Sequence, residues 1–113
     1  MKRILIFSIV CLTSIIVSLG QSVESTILPP TGYTREVCDE HSFAAYLRQL
    51  PLLPKGSKVL LYNGQEKRNQ AAAFAVVDME IGNRDLQQCA DAVMRLWAEY
   101  LWAQKRYGEI KFN

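Results

Sequence analysis

Residues 83–107, with the sequence NRDLQQCADAVMRLWAEYLWAQKRY, decide how the rest of the chain is interpreted. Apolar side chains recur there every three or four residues, which is the spacing that lines one side of an α-helix. They are Leu86, Cys89, Ala90, Val93, Leu96, Trp97, Tyr100 and Leu101. Asp85 and Gln88 have the spacing of a capping box, so the pattern predicts a long amphipathic helix that begins at Leu86 and places Cys89 about one turn in.

Shorter patterns precede this helix. Residues 42–50 place apolar side chains on one helical face, with Ser42 as the N-cap and Pro51 as the residue that stops the helix. Residues 57–62 (SKVLLY) and 71–79 (AAAFAVVDM) are short apolar runs between polar loops, which is typical of strands. We therefore predict an α+β fold with a short helix, a small antiparallel sheet of about two strands, and one long amphipathic helix packed across the sheet.

The N-terminus has the pattern of a secretory signal peptide. Lys2 and Arg3 make its start basic, residues 4–19 are mainly apolar, and small residues precede the predicted cleavage site after Gly20. An uncleaved membrane anchor is the alternative, but residues 4–19 fall short of the roughly 20 apolar residues that cross a bilayer. We expect a signal peptide at residues 1–20 and export to the periplasm or cell envelope, with membrane contact only if the signal is not cleaved.

The chain after residue 20 reads as one small domain behind a tether. Residues 21–34 include Pro29-Pro30 and suit a flexible linker, and residues 35–113 form the domain. Removal of residues 1–20 lowers the formal charge from +2 to zero, because it takes away Lys2 and Arg3 and no acid. A neutral chain lacks the clustered cations that nucleic-acid binding requires. We predict no nucleic-acid partner and no cofactor, and the pattern identifies no other partner.

Cys89 is the candidate catalytic residue. A thiol near a helix N-terminus feels the positive end of the helix dipole, which is the usual placement of a nucleophilic cysteine. Two alternatives stay open. Free cysteine is among the most buried residue types, so Cys89 could pack in the core. It could also form a disulfide with Cys38, because export allows that bond. Either arrangement would remove the free nucleophile.

The chain offers few partners for such a thiol. A cysteine nucleophile needs a base, normally an imidazole within hydrogen-bond reach. His41 is the only histidine, and its place beside a helix cap fits an exposed loop residue better than a partner of Cys89. Asp78 and Glu80 alternate at the end of a predicted strand and could do acid–base work, although carboxylates at strand ends more often face water. No cluster of His and Cys indicates a metal site.

Several blocks of the sequence carry a resemblance to a known family. The most distinctive is DLQQCADA at residues 85–92. The others fall within residues 42–52, 59–70, 75–83, 95–101 and 110–113. On these blocks the chain resembles an exported bacterial family catalogued as domain of unknown function 4846. The resemblance covers nearly all of the chain after the predicted signal peptide.

The resemblance implies that the chain is the N-terminal part of an incomplete domain. Family members continue past the Phe112-Asn113 that ends this sequence into strands with a glycine-histidine-alanine segment. By analogy, their helix-opening cysteine and later histidine resemble the papain-like arrangement of cell-wall amidases and peptidases. Cys89 matches that cysteine, and the histidine has no counterpart. We expect a truncated, inactive relative of hydrolases of peptide or amide bonds. The alternative is a non-catalytic envelope binding or structural module with Cys89 in its core.

Overall fold

The structure is a computed structural model, and it describes residues 20–112. Three α-helices and one 3₁₀ turn follow each other within these residues. They are α1 (Val23–Thr26), α2 (Phe43–Arg48), α3 (Cys89–Ala103) and the 3₁₀ turn Tyr107–Glu109. The predicted signal peptide lies outside the described residues except for Gly20, and α1 lies within the predicted linker. Within residues 20–112, no helix is both long enough and apolar enough to cross a membrane.

Helix α2 begins where the sequence predicts. Ser42 has extended backbone angles, and its Oγ accepts a hydrogen bond from the Ala45 N–H at 3.2 Å, so its role as N-cap is confirmed. The same hydroxyl donates to the Asp39 carbonyl at 2.6 Å. The helix ends at Arg48, because the residue before Pro51 is disfavoured in the helical region.

Helix α3 begins at Cys89, so the predicted start at Leu86 is wrong. The N–H of Leu86 donates to the Arg84 carbonyl at 2.9 Å, and this three-residue turn takes the place of the expected first helical turn. The capping contact lies one turn further along, where the Gln88 N–H donates to Asp91 Oδ2 at 3.2 Å. Cys89 is therefore the first helical residue.

The end of α3 is built by a left-handed residue that is not glycine. Lys105 has a φ of 58°, and the Arg106 N–H turns back to the Leu101 carbonyl at 2.9 Å. A 3₁₀ turn follows, in which the Arg106 Nε donates to Glu109 Oε1 at 2.7 Å. That hydrogen bond is the main cause that lowers the pKa of Glu109. The alternation of residues 109–113 (EIKFN) predicts the beginning of a strand, but residues 109–112 form none.

The predicted α+β fold with an antiparallel sheet is also wrong, because the described residues contain helices and no β-strand. Extended segments meet only at single antiparallel bridges, which pair Ser22 with Pro51, Leu52 with Val77, and Leu60 with Glu66. Residues 51–53 lie between residues 21–22 and residues 76–77. The Leu52 N–H donates to the Gln21 carbonyl, and the Leu53 N–H donates to the Val76 carbonyl, both at 2.8 Å.

Side-chain hydrogen bonds and turns explain why the two predicted strands do not form. Gln70 competes for the backbone groups of Val59: its Oε1 accepts from the Val59 N–H at 2.9 Å, and its Nε2 donates at 3.0 Å to the Val59 carbonyl, which also accepts from the Lys67 N–H at 2.9 Å. The amide side chain thus replaces a backbone partner only at the Val59 N–H, and pairing in this run stops at the single bridge between Leu60 and Glu66. In the second run, a turn joins the Ala73 N–H to the Gln70 carbonyl at 3.2 Å, and Phe74 is 79% exposed.

The core is small and comes mainly from α2 and α3. Its buried hydrophobic residues are Ala45, Leu52, Tyr100 and Leu101. Beside them, an aromatic cluster joins the two helices, with ring centroids 5.0 to 6.1 Å apart; its members are Phe43, Tyr46, Trp97 and Tyr100. The Tyr100 hydroxyl also donates to the His41 carbonyl at 2.7 Å. These contacts attach α2 to the C-terminal half of α3.

The N-terminal half of α3 has no such cover among the described residues. Helix α2 has 6 residues and α3 has 15, which correspond to lengths of about 9 and 22 Å. The shorter helix therefore spans less than half of the longer one. Val93 is 62% exposed and Met94 is 40% exposed, and Leu86 in the preceding loop is 62% exposed. An apolar surface consequently runs along the helix start that carries Cys89.

Candidate functional site

The candidate site is the start of α3. Cys89 is exposed and is the first residue of this 15-residue helix. The first turn of a helix presents backbone N–H groups without intrahelical partners, and the helix dipole stabilises negative charge there. Asp91 already places one carboxylate in this turn. A thiolate at Cys89 would therefore share the positive helix end with a neighbouring anion.

The two structural alternatives for Cys89 do not match its environment. Its side chain is exposed, so Cys89 is not a core residue. Cys38 and Cys89 are both free thiols, so no disulfide joins them. Cys38 instead lies beside α2, where its Sγ accepts a hydrogen bond from Arg48 Nη1 at 3.1 Å. Arg48 Nη2 holds the same loop by donating to the Glu36 carbonyl at 2.9 Å.

His41 lies at the opposite end of α3 from Cys89. Its imidazole is 74% exposed, and its Nε2 is 3.4 Å from Glu40 Oε1. The His41 carbonyl is bonded to Tyr100, which follows Cys89 by 11 residues on α3 (100 − 89), or about 16 Å along the helix axis. The structure therefore does not bring His41 within hydrogen-bond reach of the thiol.

Asp78 and Glu80 do not form a carboxylate pair on a strand. Glu80 Oε1 accepts from the Gly82 N–H at 3.1 Å and closes a turn. Asp78 lines a separate cavity of about 330 Å³, together with Tyr46 and Glu99. The structure therefore assigns the two carboxylates to different surroundings. Among residues 20–112, no three metal-ligating side chains come together.

A network around Arg95 supports the loop that leads into Cys89. Arg95 Nε donates to Glu99 Oε1, and Arg95 Nη1 donates to Gln87 Oε1, both at 2.7 Å. Gln87 Nε2 in turn lies 3.7 Å from Met79 Sδ. Glu99 Oε2 accepts from the Tyr46 hydroxyl at 3.4 Å; burial, followed by this carboxylate, raises the pKa of Tyr46. None of these residues was predicted as part of the site, although the four-residue spacing of Arg95 and Glu99 indicates an ion pair on a helix.

Comparison with known proteins places the chain in one family. A family model described as a domain of unknown function (4846) matches residues 23–113, which is well over half of the sequence. The chain belongs to that family, and this part of the sequence resemblance is confirmed. Comparison with curated proteins and with solved structures gives no match. The family description assigns no reaction, so the functional argument rests on the geometry around Cys89.

Proposed function

We propose that this chain is an exported bacterial protein that carries the nucleophile of a papain-like hydrolase site for peptide or amide bonds. The observation that supports the proposal is the position of Cys89, whose thiol is exposed at the first residue of a 15-residue helix. That position combines solvent access with the positive end of a helix dipole, as in enzymes that use a cysteine nucleophile. Arg95 contributes by fixing Gln87 immediately before the helix cap.

The proposed chemistry is a two-step acyl transfer. A base takes the proton of the thiol while Cys89 Sγ attacks the carbonyl carbon of the substrate. The protonated base then gives that proton to the leaving amine as the carbon–nitrogen bond breaks. Water, deprotonated by the same base, hydrolyses the thioester and restores the thiol. The substrate class is therefore a peptide or amide that can reach an exposed thiol on a helix end.

The proposal requires a base from outside the described residues, because His41 lies near the far end of α3. We propose that this base belongs to further structure that packs against the start of α3. The exposed apolar surface of Leu86, Val93 and Met94 beside Cys89 supports this step, because apolar side chains at a helix start are normally packed against further structure.

A second candidate function is a non-catalytic binding or structural module of the cell envelope. The same exposed apolar surface favours it, because such surfaces also mark sites of protein contact. In this case Cys89 would be a surface residue without a chemical role. The two functions differ in what they predict for the reactivity of the thiol.

Alkylation by iodoacetamide at neutral pH tests the nucleophile. The chain has three cysteines, so all variants carry Cys11→Ser to remove the first. Adding Cys38→Ser leaves Cys89 as the single thiol, and adding Cys89→Ser instead leaves Cys38. A helix N-terminus stabilises an anion by about 0.3–1 kcal/mol, so we expect Cys89 to react roughly 2- to 5-fold faster in the folded protein than in urea. Cys38, half-buried against Arg48, should react more slowly when folded. A folded rate for Cys89 at or below its urea rate would remove the nucleophile from the proposal.

Asp91→Asn provides a matched variant. Asparagine keeps a capping oxygen but removes the carboxylate that shares the helix end with the thiol. We expect Cys89 to react faster in this variant than in the parent. No change in rate would show that the Asp91 carboxylate does not act on the thiol.

Export is tested separately by mass spectrometry of the protein recovered from the periplasm of an expressing bacterium. The proposal expects a mature chain that begins at Gln21. A protein that stays in the cytoplasm, or one found outside it that still begins at Met1, would contradict cleavage and export.

A further inference from the structure

A cavity lined by irregular segments of the chain lies away from Cys89. It has a volume of about 410 Å³ and is lined by the irregular segments 52–58 and 73–76, with single contributions from Gln21, Thr26 and Gln70. This volume is within the range of roughly 300–1,000 Å³ that is usual for small-molecule sites. No residue of α3 lines the cavity, so an occupant would not meet the candidate catalytic thiol.

The lining combines an apolar body with positive charge. Leu52 and Leu53 lie on one segment and Phe74 and Val76 on the other. Phe74 is 79% exposed, so its ring is available to a ligand. Bringing an aromatic side chain out of water is favourable at about 25 cal/mol per Å² of apolar area. The cavity therefore favours a ligand with a hydrocarbon portion.

The charge of the lining selects the polar end of that ligand. Lys55 and Lys58 both line the cavity, and none of its lining residues is acidic. Lys58 Nζ lies 3.5 Å from Glu66 Oε2, whereas Lys55 forms no ion pair within residues 20–112. The cavity beside Tyr46 has the opposite character, because Asp78 and Glu99 line it. Charge complementarity thus favours an anion in the larger cavity.

Backbone contacts hold the walls of the cavity in place without a ligand. The Leu53 N–H donates to the Val76 carbonyl at 2.8 Å and ties the two segments together. Ser57 Oγ donates to the Pro54 carbonyl at 2.7 Å, across a turn that requires Gly56 at a φ of 88°. A site with fixed walls loses less conformational entropy when a ligand binds.

We propose that this cavity binds a small amphipathic carboxylate with a short hydrocarbon chain. The chain lies against Leu53 and Phe74, and the carboxylate faces Lys55. The proposal is independent of the proposed hydrolase activity, because neither Cys89 nor its supporting network takes part.

NMR titration of ¹⁵N-labelled protein tests the proposal with three probes that share one hydrocarbon chain: octanoate, octylammonium and octanol. We expect octanoate to shift the amide signals of residues 52–58 and 73–76 in a saturable way, with octanol weaker and octylammonium weakest. Equal affinity for the three head groups would overturn the charge argument. Absence of saturable shifts in these segments would overturn the site. Tighter binding by a hydrophobic peptide with a free carboxyl end would overturn the choice of a small carboxylate.

Two variants and two matched controls locate the contacts. Lys55→Gln should weaken octanoate by roughly 1.5- to 5-fold, the range of an exposed ion pair, and leave octanol unchanged. Phe74→Ala should weaken both ligands, by about 10-fold or more if the ring becomes buried against the chain. Lys111→Gln and Phe112→Ala change exposed residues outside the cavity and should leave both affinities unchanged. Equal effects from the variants and the controls would overturn the proposal.

Discussion

Replacement of Tyr100 gives the sharpest test of how the helices are held together. Tyr100 is 5% exposed, and its ring lies 5.3 Å from the rings of Phe43 and Trp97 and 5.7 Å from that of Tyr46. Its hydroxyl donates to the His41 carbonyl at 2.7 Å. One side chain thus combines an aromatic contact with a hydrogen bond between segments that are far apart in sequence, and two substitutions separate these contributions.

The expected losses of stability follow from what each substitution removes. Tyr100→Phe keeps the ring and loses one hydrogen bond, so the loss should be about 0.5–1.5 kcal/mol. Tyr100→Ala also removes the ring and should cost about 3–5 kcal/mol. A domain of the 93 described residues (20–112) is expected to have a free energy of unfolding of roughly 5–14 kcal/mol, so the alanine variant should lose a large part of it.

Urea unfolding followed by tryptophan fluorescence measures both losses, because Trp97 packs against Tyr100. Tyr33→Phe and Tyr33→Ala are the matched controls: Tyr33 is 73% exposed, and its changes should stay within about 0.5 kcal/mol. If Tyr100→Ala and Tyr33→Ala had equal effects, the aromatic cluster would not be the core. If Tyr100→Phe matched Tyr33→Phe, the hydrogen bond to His41 would contribute nothing.

Three further predictions concern the helix ends and one ionisable side chain. Ser42→Ala should lower the free energy of unfolding by about 1 kcal/mol, whereas Ser42→Asn should preserve it; equal losses would refute the capping role. Lys105→Gly should stabilise the protein by about 1 kcal/mol in urea unfolding because it removes a left-handed lysine, and a loss of stability would refute this account. Burial and Glu99 raise the pKa of Tyr46 above 10.0, so its stability contribution is fully present below about pH 10 and is lost as the pH rises through the folded pKa. Ultraviolet difference titration of the parent against Tyr46→Phe should show this, and a Tyr46 that titrates at 10.0 would contradict it.

Helical parts of the fold were readable from the sequence because their determinants are local. Ser42 caps α2 through a contact three residues away, and the apolar spacing of residues 89–101 needs only the geometry of a helix. The start of α3 was misplaced because similar polar residues recur at the same spacing. Asp85 with Gln88 and Gln88 with Asp91 are both separated by three positions, and only the second pair forms the observed contact.

The strand predictions failed because strand formation depends on partners that are distant in sequence. Residues 57–62 and 71–79 have apolar side chains, but a β-ladder also requires the backbone N–H and C=O groups of a second segment alongside. The Val59 N–H bonds to the Gln70 side chain, and the bridges of Leu60 with Glu66 and of Leu52 with Val77 do not extend to a second residue pair. Sequence patterns record which residues prefer extended backbone, and they do not record whether another segment supplies the pairing.

Only part of the candidate site could be predicted, because the rest also depends on contacts between residues that are distant in sequence. Cys89 at a helix start follows from local patterning, and its exposure does not, because exposure depends on what the rest of the chain covers. The apolar spacing predicted a covered face, and α2 covers only its C-terminal half. The contact between Arg95 and Gln87, which supports the approach to Cys89, joins residues whose relative positions are known only once the loop is folded.

The unequal cover of α3 also sets how this helix opens. Amides near Tyr100 and Leu101, which are held by the core, should exchange with solvent deuterium only on global unfolding. Amides just after Cys89 have no packed layer over them among the described residues, so they should exchange through local fraying. A partner that docks there would supply the ordering of that first turn itself. Docking would then fix the position of Cys89, so the thiol would be precisely placed only in the bound state.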